Sequence, residues 1–349
     1  MGSKRIFIDI SGYGNSGKTA ISDFLKEFNT VFSFPNKIEF ELFRIPDGII
    51  DLYHSIYSDY GLIRSNLVLN RFERLVKRIG TNQKPSNPIS YFIASAYNYD
   101  ALFNNQFRKL AGEYITELIG FKYTTFWPYQ ANYADIPQLI ANKLLRKLNI
   151  SNDQHEVIFT EKSHFISSTN KFIQALFDTV ADKNHKIVLM NNSFDSYNPT
   201  ECHKIIENSR SIIVERDPRD IYTSVLPSSD VYVPDFENSK DIKKIKQQMI
   251  AVNDVDSFIH RYKAIRGNAT YDSTDSILRI RFEDFILKNE LMIEKILDFT
   301  GLSEAEWTNK NQFFNPLRST KNIGLWKKCP NIGAIKKIQQ ELSEYCYQI

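Results

Sequence analysis

Gly12-Tyr13-Gly14-Asn15-Ser16-Gly17-Lys18-Thr19 carries the spacing G-x-x-x-x-G-K-[ST]. Glycines at these places let main-chain N–H groups turn toward one point, and a helix starting there adds the positive end of its dipole. Such a concavity suits a phosphate. Lys18 contributes a point charge, and Gly14, Asn15, Ser16, Gly17, Lys18 and Thr19 are the expected contacts. The flanks agree, because the apolar run Ile6-Phe7-Ile8-Asp9-Ile10 precedes the loop and Ala20-Ile21-Ser22-Asp23-Phe24-Leu25 follows it, which reads as strand, loop, helix. The plainer alternative is a tight turn in which the glycines serve only the backbone.

A second apolar run, Ser211-Ile212-Ile213-Val214-Glu215, leads into Arg216-Asp217-Pro218-Arg219-Asp220-Ile221-Tyr222-Thr223-Ser224. A guanidinium offers phosphate a planar fork of donors, and a hydroxyl near a helix start adds one more. Without a ligand, the same residues make a surface ion pair and a proline-started helix. Two later segments accompany it, Ile277-Leu278-Arg279-Ile280-Arg281-Phe282-Glu283-Asp284-Phe285 and Lys321-Asn322-Ile323-Gly324-Leu325-Trp326-Lys327-Lys328.

Together these segments resemble sulfotransferases that use 3′-phosphoadenosine-5′-phosphosulfate (PAPS), of the bacterial carbohydrate type. R-D-P-R-D-x-x-x-S is similar to their 3′-phosphate-binding segment, R-F-E-D-F to their R-[YF]-E-D-[LF] segment, and the stretch from Gly324 to Lys327 to their G-x-W-[KR] loop. The segments occur in family order between residues 6 and 328. The resemblance implies that Arg216 and Ser224 hold the 3′-phosphate, with Lys321, Gly324, Trp326 and Lys327 on the adenine and 3′-phosphate side. It further implies PAPS as donor, adenosine 3′,5′-bisphosphate as product, and no metal. One position departs from the pattern. Many sulfotransferases place the basic residue of the loop before the Ser-Gly pair, whereas here Asn15 precedes Ser16-Gly17 and Lys18 follows, as in ATP- and GTP-using proteins. A Mg²⁺-dependent kinase therefore stands beside the sulfotransferase, with Lys18 on the β/γ-phosphates, Thr19 on the metal and Glu215 as its acidic partner. A nucleotide-binding protein without turnover is a third alternative.

Transfer to a hydroxyl needs a base. Asn36-Lys37-Ile38-Glu39-Phe40-Glu41-Leu42-Phe43 resembles the N-E-x-x-F-F segment of carbohydrate sulfotransferases, whose glutamate takes the acceptor proton, and the match falls on Glu39. Glu41 lies two residues on, hence on the same face of an extended chain. His54 is a further candidate, since a neutral imidazole is competent near pH 7. Asn191, Asn192 and Asp195 follow the apolar run Ile187 to Met190, where an open α/β sheet presents its ligand-facing loops, and they are candidate acceptor contacts or helix caps.

The elements that must position these residues point to an α/β fold. Short apolar runs at Arg5 to Ile10, Glu156 to Thr160, Ile187 to Met190, Ser211 to Glu215 and Ile277 to Phe282 predict a parallel sheet of the phosphate-loop type flanked by helices. Residues 50–150 show amphipathic patterns over Ile63 to Ile79, Pro88 to Leu118 and Ile136 to Leu148, and are expected as a helical insertion covering the acceptor side of a single domain spanning 1–349. Thr81 to Pro88 and residues 226–245 read as loops, the latter placed to act as a lid. A net charge of +3 over 349 residues disfavours a nucleic-acid-binding surface, so a small-molecule or glycan acceptor is the expected partner. The oligomeric state is left open. Cys202, Cys329 and Cys346 lie far apart, and the histidines lack metal-ligand spacing, which predicts a reduced, cytoplasmic setting with neither disulfides nor metal. No apolar run reaches the length of a membrane span.

Overall fold

Period-two alternation in the first strand sets the layering of the fold. The structure, a computed structural model, describes residues 5–34, 38–80, 98–127, 129–133, 136–148, 154–225, 254–269 and 275–348. Its strands are β1 (Ile6–Gly12), β2 (Val31–Ser33), β3 (Ile119–Phe126), β4 (Gln154–Thr160), β5 (Ile187–Asn191), β6 (Ser209–Glu215) and β7 (Ile277–Arg281). The chain forms two compact units, one of Met1–Arg44 with Val180–Ile349, the other of Ile45–Thr179.

In the first unit, five strands pair in the order β2-β5-β1-β6-β7, all parallel. Ile8 and Ile10 of β1 share a core with Ile212 and Val214 of β6, Ile280 of β7, and Ile21, Phe24 and Leu25 from the helix Lys18–Leu25. Each such side chain contributes about 1.5–3 kcal/mol by leaving water. Because β1 lies between β5 and β6, the loops that follow these three strands emerge side by side at their C-terminal ends. The phosphate-loop motif, Asn192 and Arg216 all lie on those loops.

The second unit is mainly helical. Its long helices are Leu62–Ile79, Phe107–Glu117, Ile136–Lys147 and Phe165–Asp178. Three expectations need correction here. The run Glu156 to Thr160 does form a strand, but it does not join the central sheet; β4 pairs antiparallel with β3, and Phe121 stacks on Phe159 at 4.4 Å. Residues 50–150 are therefore not purely helical, since Lys122-Tyr123-Thr124-Thr125-Phe126 supplies β-branched and aromatic residues suited to a strand. The helix expected from Pro88 to Leu118 is broken after Leu102, where Asn104 and Asn105 take left-handed φ of 52° and 60°. Thr81 to Pro88 and the loop at 226–245 lie outside the described residues. None of the described helices is long and apolar enough to cross a membrane.

Asp9 is the anomaly of the apolar β1. It is fully buried, its Oδ1 accepts the main-chain N–H of Ser193 at 2.7 Å, and among the described residues its Oδ2 has no hydrogen-bond partner. Burial pushes its pKa up to about 6, against the opposing pull of the Ser193 N–H and the Lys18 charge. A carboxyl held above its ordinary value favours the folded state while protonated, and that contribution is lost as pH rises through about 6. The shift corresponds to on the order of 3 kcal/mol. Asp9→Asn keeps an acceptor for Ser193 and removes the titration. Thermal unfolding of both proteins from pH 4 to pH 8 should show the variant gaining stability relative to the parent as pH rises, whereas parallel Tm curves would contradict a protonated Asp9.

Candidate functional site

The glycine loop is shaped by two left-handed residues, Asn15 at φ 56° and Gly17 at φ 84°. A Cβ at Gly17 would come within 2.5 Å of the Phe282 ring, so both conformation and space require glycine there. Lys18 opens the helix, and its Nζ donates to Glu39 Oε1 at 2.8 Å. Burial lowers the Lys18 pKa, and the Glu39 carboxylate opposes that shift. Asn192 Nδ2 donates to the same Oε1 at 2.5 Å, and Arg44 donates to Glu39 Oε2 at 3.1 Å and also to Glu41 Oε1. Burial raises the Glu41 pKa despite the adjacent guanidinium. Lys18, Glu39, Glu41, Arg44 and Asn192 thus form one charged cluster on the loops after β1, β2 and β5.

A second cluster surrounds Arg216, just after β6. The residue is 6% exposed, donates to the carbonyls of Asn15 at 2.9 Å and Asn322 at 2.6 Å, and lies over the Phe282 ring at 5.2 Å. Among the described residues its Nε has no partner and no carboxylate lies within ion-pair distance. Burial lowers its pKa, while the fields of Asp220, Glu283 and Asp217 oppose that; a guanidinium keeps its proton regardless. Arg216 therefore ties the phosphate-loop motif to the 321–328 segment.

The neighbouring acids serve the backbone instead. Asp220 accepts the N–H of Gly324 at 2.8 Å and of Trp326 at 3.1 Å, and Gly324 supplies the left-handed φ of 72° that opens the turn Leu325–Lys328. Glu283 accepts the Asp217 N–H at 2.8 Å, and Asp217 accepts the Arg219 guanidinium, which lies 4.2 Å from the Trp326 ring centroid. The R-D-P-R-D, R-F-E-D-F and G-x-W-K segments, distant in sequence, are thereby packed into one scaffold.

The remaining candidates divide. Ser16 is buried in the loop, and Gly14 and Asn15 are exposed on it. Thr19 lies in the first turn of the helix. Ser224 is on the helix Pro218–Val225 that Arg216 precedes, and its hydroxyl donates to the Ile221 carbonyl at 2.8 Å. Lys321 and Lys327 are exposed on the 321–328 segment. Asn191 ends β5 without joining the Glu39 cluster, and Asp195 makes a local turn by accepting the Tyr197 N–H at 2.9 Å. His54 belongs to the second unit, in the π-helical segment Tyr53–Ser58 beside the Tyr53 ring. Glu215, the acidic metal partner required by a kinase, is engaged by Arg266 at 2.8 Å and Arg279 at 3.7 Å. Among the described residues no group of His, Cys, Asp or Glu is arranged to hold a metal ion. Arg44 and Asp9 escaped the sequence analysis, although a lone acid inside an apolar strand and an arginine three residues after Glu41 were both visible.

No curated protein matches the chain. Solved structures similar to it include the sulfotransferase domain from the curacin biosynthetic pathway, at 13% identity over 100% of both chains with a TM-score of 0.37. Sulfotransferase STF9 from Mycobacterium avium matches at 13% identity over 99% of this chain and 77% of that chain, with a TM-score of 0.33. A sulfotransferase from Alicyclobacillus acidocaldarius matches at 12% identity over 96% of each chain, with a TM-score of 0.34. The assignment rests on a different comparison, the sequence profile of the sulfotransferase family, which matches residues 130–308, just over half of the chain. That span runs from before β4 to beyond β7 and contains Arg216 with its helix, while the glycine loop and the 321–328 segment lie outside it. On that match, the chain belongs to the sulfotransferase family, whose chemistry is transfer of a sulfuryl group.

Proposed function

We propose that the protein transfers a sulfuryl group from PAPS to a hydroxyl of a carbohydrate or another small polar acceptor, in the cytoplasm. The observation that carries this reading is the buried Arg216 guanidinium, bonded to two carbonyls and lacking an ion-pair partner among the described residues, beside a glycine loop suited to phosphate. A nucleotide with phosphates at both the 3′ and 5′ positions supplies one anion to each. Arg216 takes the 3′-phosphate, aided by the Ser224 hydroxyl and the charges of Lys321 and Lys327, with Trp326 and Gly324 forming the adjoining turn. Lys18 and the N–H groups from Gly14 to Thr19 hold the 5′-phosphosulfate, where negative charge grows as the bond to sulfur breaks. Glu39 receives the acceptor proton, and Asn192 orients it. Glu41 is tied to Arg44, and His54 has no observation in its favour. The capture of Glu215 by two arginines argues against the kinase, whose metal partner it would have to be. The cytoplasmic setting is supported by three buried free thiols, Cys202, Cys329 and Cys346.

Two measurements test the reading. Calorimetric titration should show adenosine 3′,5′-bisphosphate binding far more tightly than ADP or ATP, equally well with Mg²⁺ or EDTA, with the preference lost in Arg216→Ala. Tight, Mg²⁺-dependent ATP binding indifferent to a 3′-phosphate would instead favour the kinase. In sulfonation assays, Lys18→Ala should lose about 2–4 kcal/mol of transition-state stabilisation. Glu39→Gln should lower kcat about 10²–10⁴-fold with bisphosphate affinity nearly unchanged. Full activity in a folded Glu39→Gln protein would move the base to Glu41 or His54.

A further inference from the structure

We propose that Arg44 is the positioning residue for the Glu39 carboxylate, a role that rests on the assignment of Glu39 as base. The backbone around Arg44 is fixed by burial: Phe40, Leu42 and Phe43 are at most 1% exposed, and Phe43 meets Phe40 and Phe194 edge-on at 5.9 and 5.2 Å. The turn Glu41–Phe43 closes when the Arg44 N–H donates to the Glu41 carbonyl at 3.0 Å. From that anchored position the guanidinium reaches back to Glu39 Oε2 and Glu41 Oε1 through the same terminal nitrogen. Glu41 is thus the second arm of the clamp.

The division of labour between the two oxygens of Glu39 gives the arrangement its consequence. Oε1 accepts from Lys18 and Asn192, and Oε2 accepts from Arg44. Lys18 has two anions to serve, Glu39 and the phosphosulfate of the donor. When the donor draws Lys18 away, Oε1 gains a lone pair for the acceptor hydroxyl, and Arg44 keeps the carboxylate from swinging after the departing ammonium. The acceptor oxygen then bonds to sulfur, the sulfur–oxygen bond to the 5′-phosphate breaks with its electron pair on the phosphate, and the hydroxyl proton passes to Oε1. Arg44 touches neither donor nor acceptor in this scheme and acts only through Glu39. Lysine would keep the charge but place its donor on a flexible stem without the rigid guanidinium plane.

The test compares Arg44→Gln, Arg44→Lys and Glu39→Gln in sulfonation kinetics, with bisphosphate affinity measured in parallel. Arg44→Gln should lower kcat about 10–100-fold, because a misplaced catalytic group loses rate without losing the ligand. The acid-side limb of its kcat–pH profile should move to higher pH, since a cation facing Glu39, Glu41, Lys18 and Tyr197 has gone. Bisphosphate Kd should stay within about threefold of the parent, and Arg44→Lys should recover part of the lost kcat. An unchanged kcat and pH profile in Arg44→Gln, together with an inactive Glu39→Gln, would overturn the positioning role while leaving Glu39 as base. A loss of bisphosphate affinity matching the loss of kcat would also overturn it, by moving Arg44 into the donor site. Full activity in Glu39→Gln would instead remove the base assignment on which the role depends. Should Arg44→Gln fail to unfold cooperatively, Arg44→Lys decides: reduced kcat with parent-like Kd supports the role, and parent-like kcat with an unmoved pH profile refutes it.

Discussion

A guanidinium taken out of water, with no carboxylate at ion-pair distance among the described residues, is the constraint around which much of the site in the first unit is arranged. Isolated buried charge is penalised by several kcal/mol unless hydrogen bonds and nearby fields offset the loss of hydration. At Arg216 the offsets are two carbonyls, the Phe282 ring face and the more distant charges of Asp217, Asp220 and Glu283. Those acids do not neutralise it, because each is used elsewhere: Asp217 by Arg219, Asp220 by the turn at 324–326, Glu283 by the Asp217 N–H. A bound dianion would supply what the protein withholds. Phe282 gives the arrangement its rigidity, since one ring packs beneath Arg216 and also occupies the space that a Gly17 side chain would need.

The charges around the glycine loop follow a related logic. Lys18 is partly withdrawn from water, paired with Glu39 on its outer side and subject to the field of Asp9 from below. Asp9 is held near pH 6 by burial, so its charge is present in the pH range where sulfuryl transfer would be measured and absent in acid. Glu39 is held by Lys18, Asn192 and Arg44, which arrive from three different parts of the chain. Rigid elements supply each of them: the first turn of a helix, a left-handed residue at the end of β5, and a turn anchored by buried aromatics. Such anchoring is what a catalytic carboxylate needs if its geometry is to survive ligand binding.

The motif segments were legible in the sequence because their chemistry is local. Gly17 needs a left-handed φ, Arg216 follows an apolar strand, and Gly324 opens a turn, and each requirement leaves a residue type at a fixed offset. The strands of the central sheet were legible for the same reason, except β2, whose three residues are too few to show periodicity. What stayed hidden depends on pairing between distant segments. Glu156 to Thr160 is as apolar as a sheet strand, and only its partner, Ile119–Phe126, shows that it belongs to a separate antiparallel pair. Lys18 and Asn192 were equally hidden as partners of Glu39, since residues 18, 39 and 192 meet only once the sheet has formed, whereas Arg44 lies only five residues on. Asp220 and Glu283, read as parts of motifs, turn out to act as acceptors for backbone N–H groups that fix two loops.

The central claim is that two separate anion sites, one at Arg216 and one at Lys18, hold the two phosphates of a single nucleotide. Phosphorus NMR of bound adenosine 3′,5′-bisphosphate resolves the two groups and reports on each site independently. Both resonances should shift on binding to the parent protein. Arg216→Ala should abolish the shift of the 3′-phosphate while largely sparing that of the 5′-phosphate, and Lys18→Ala should do the reverse. Equal loss of both shifts in each variant, or a 3′-phosphate resonance indifferent to Arg216, would contradict the account.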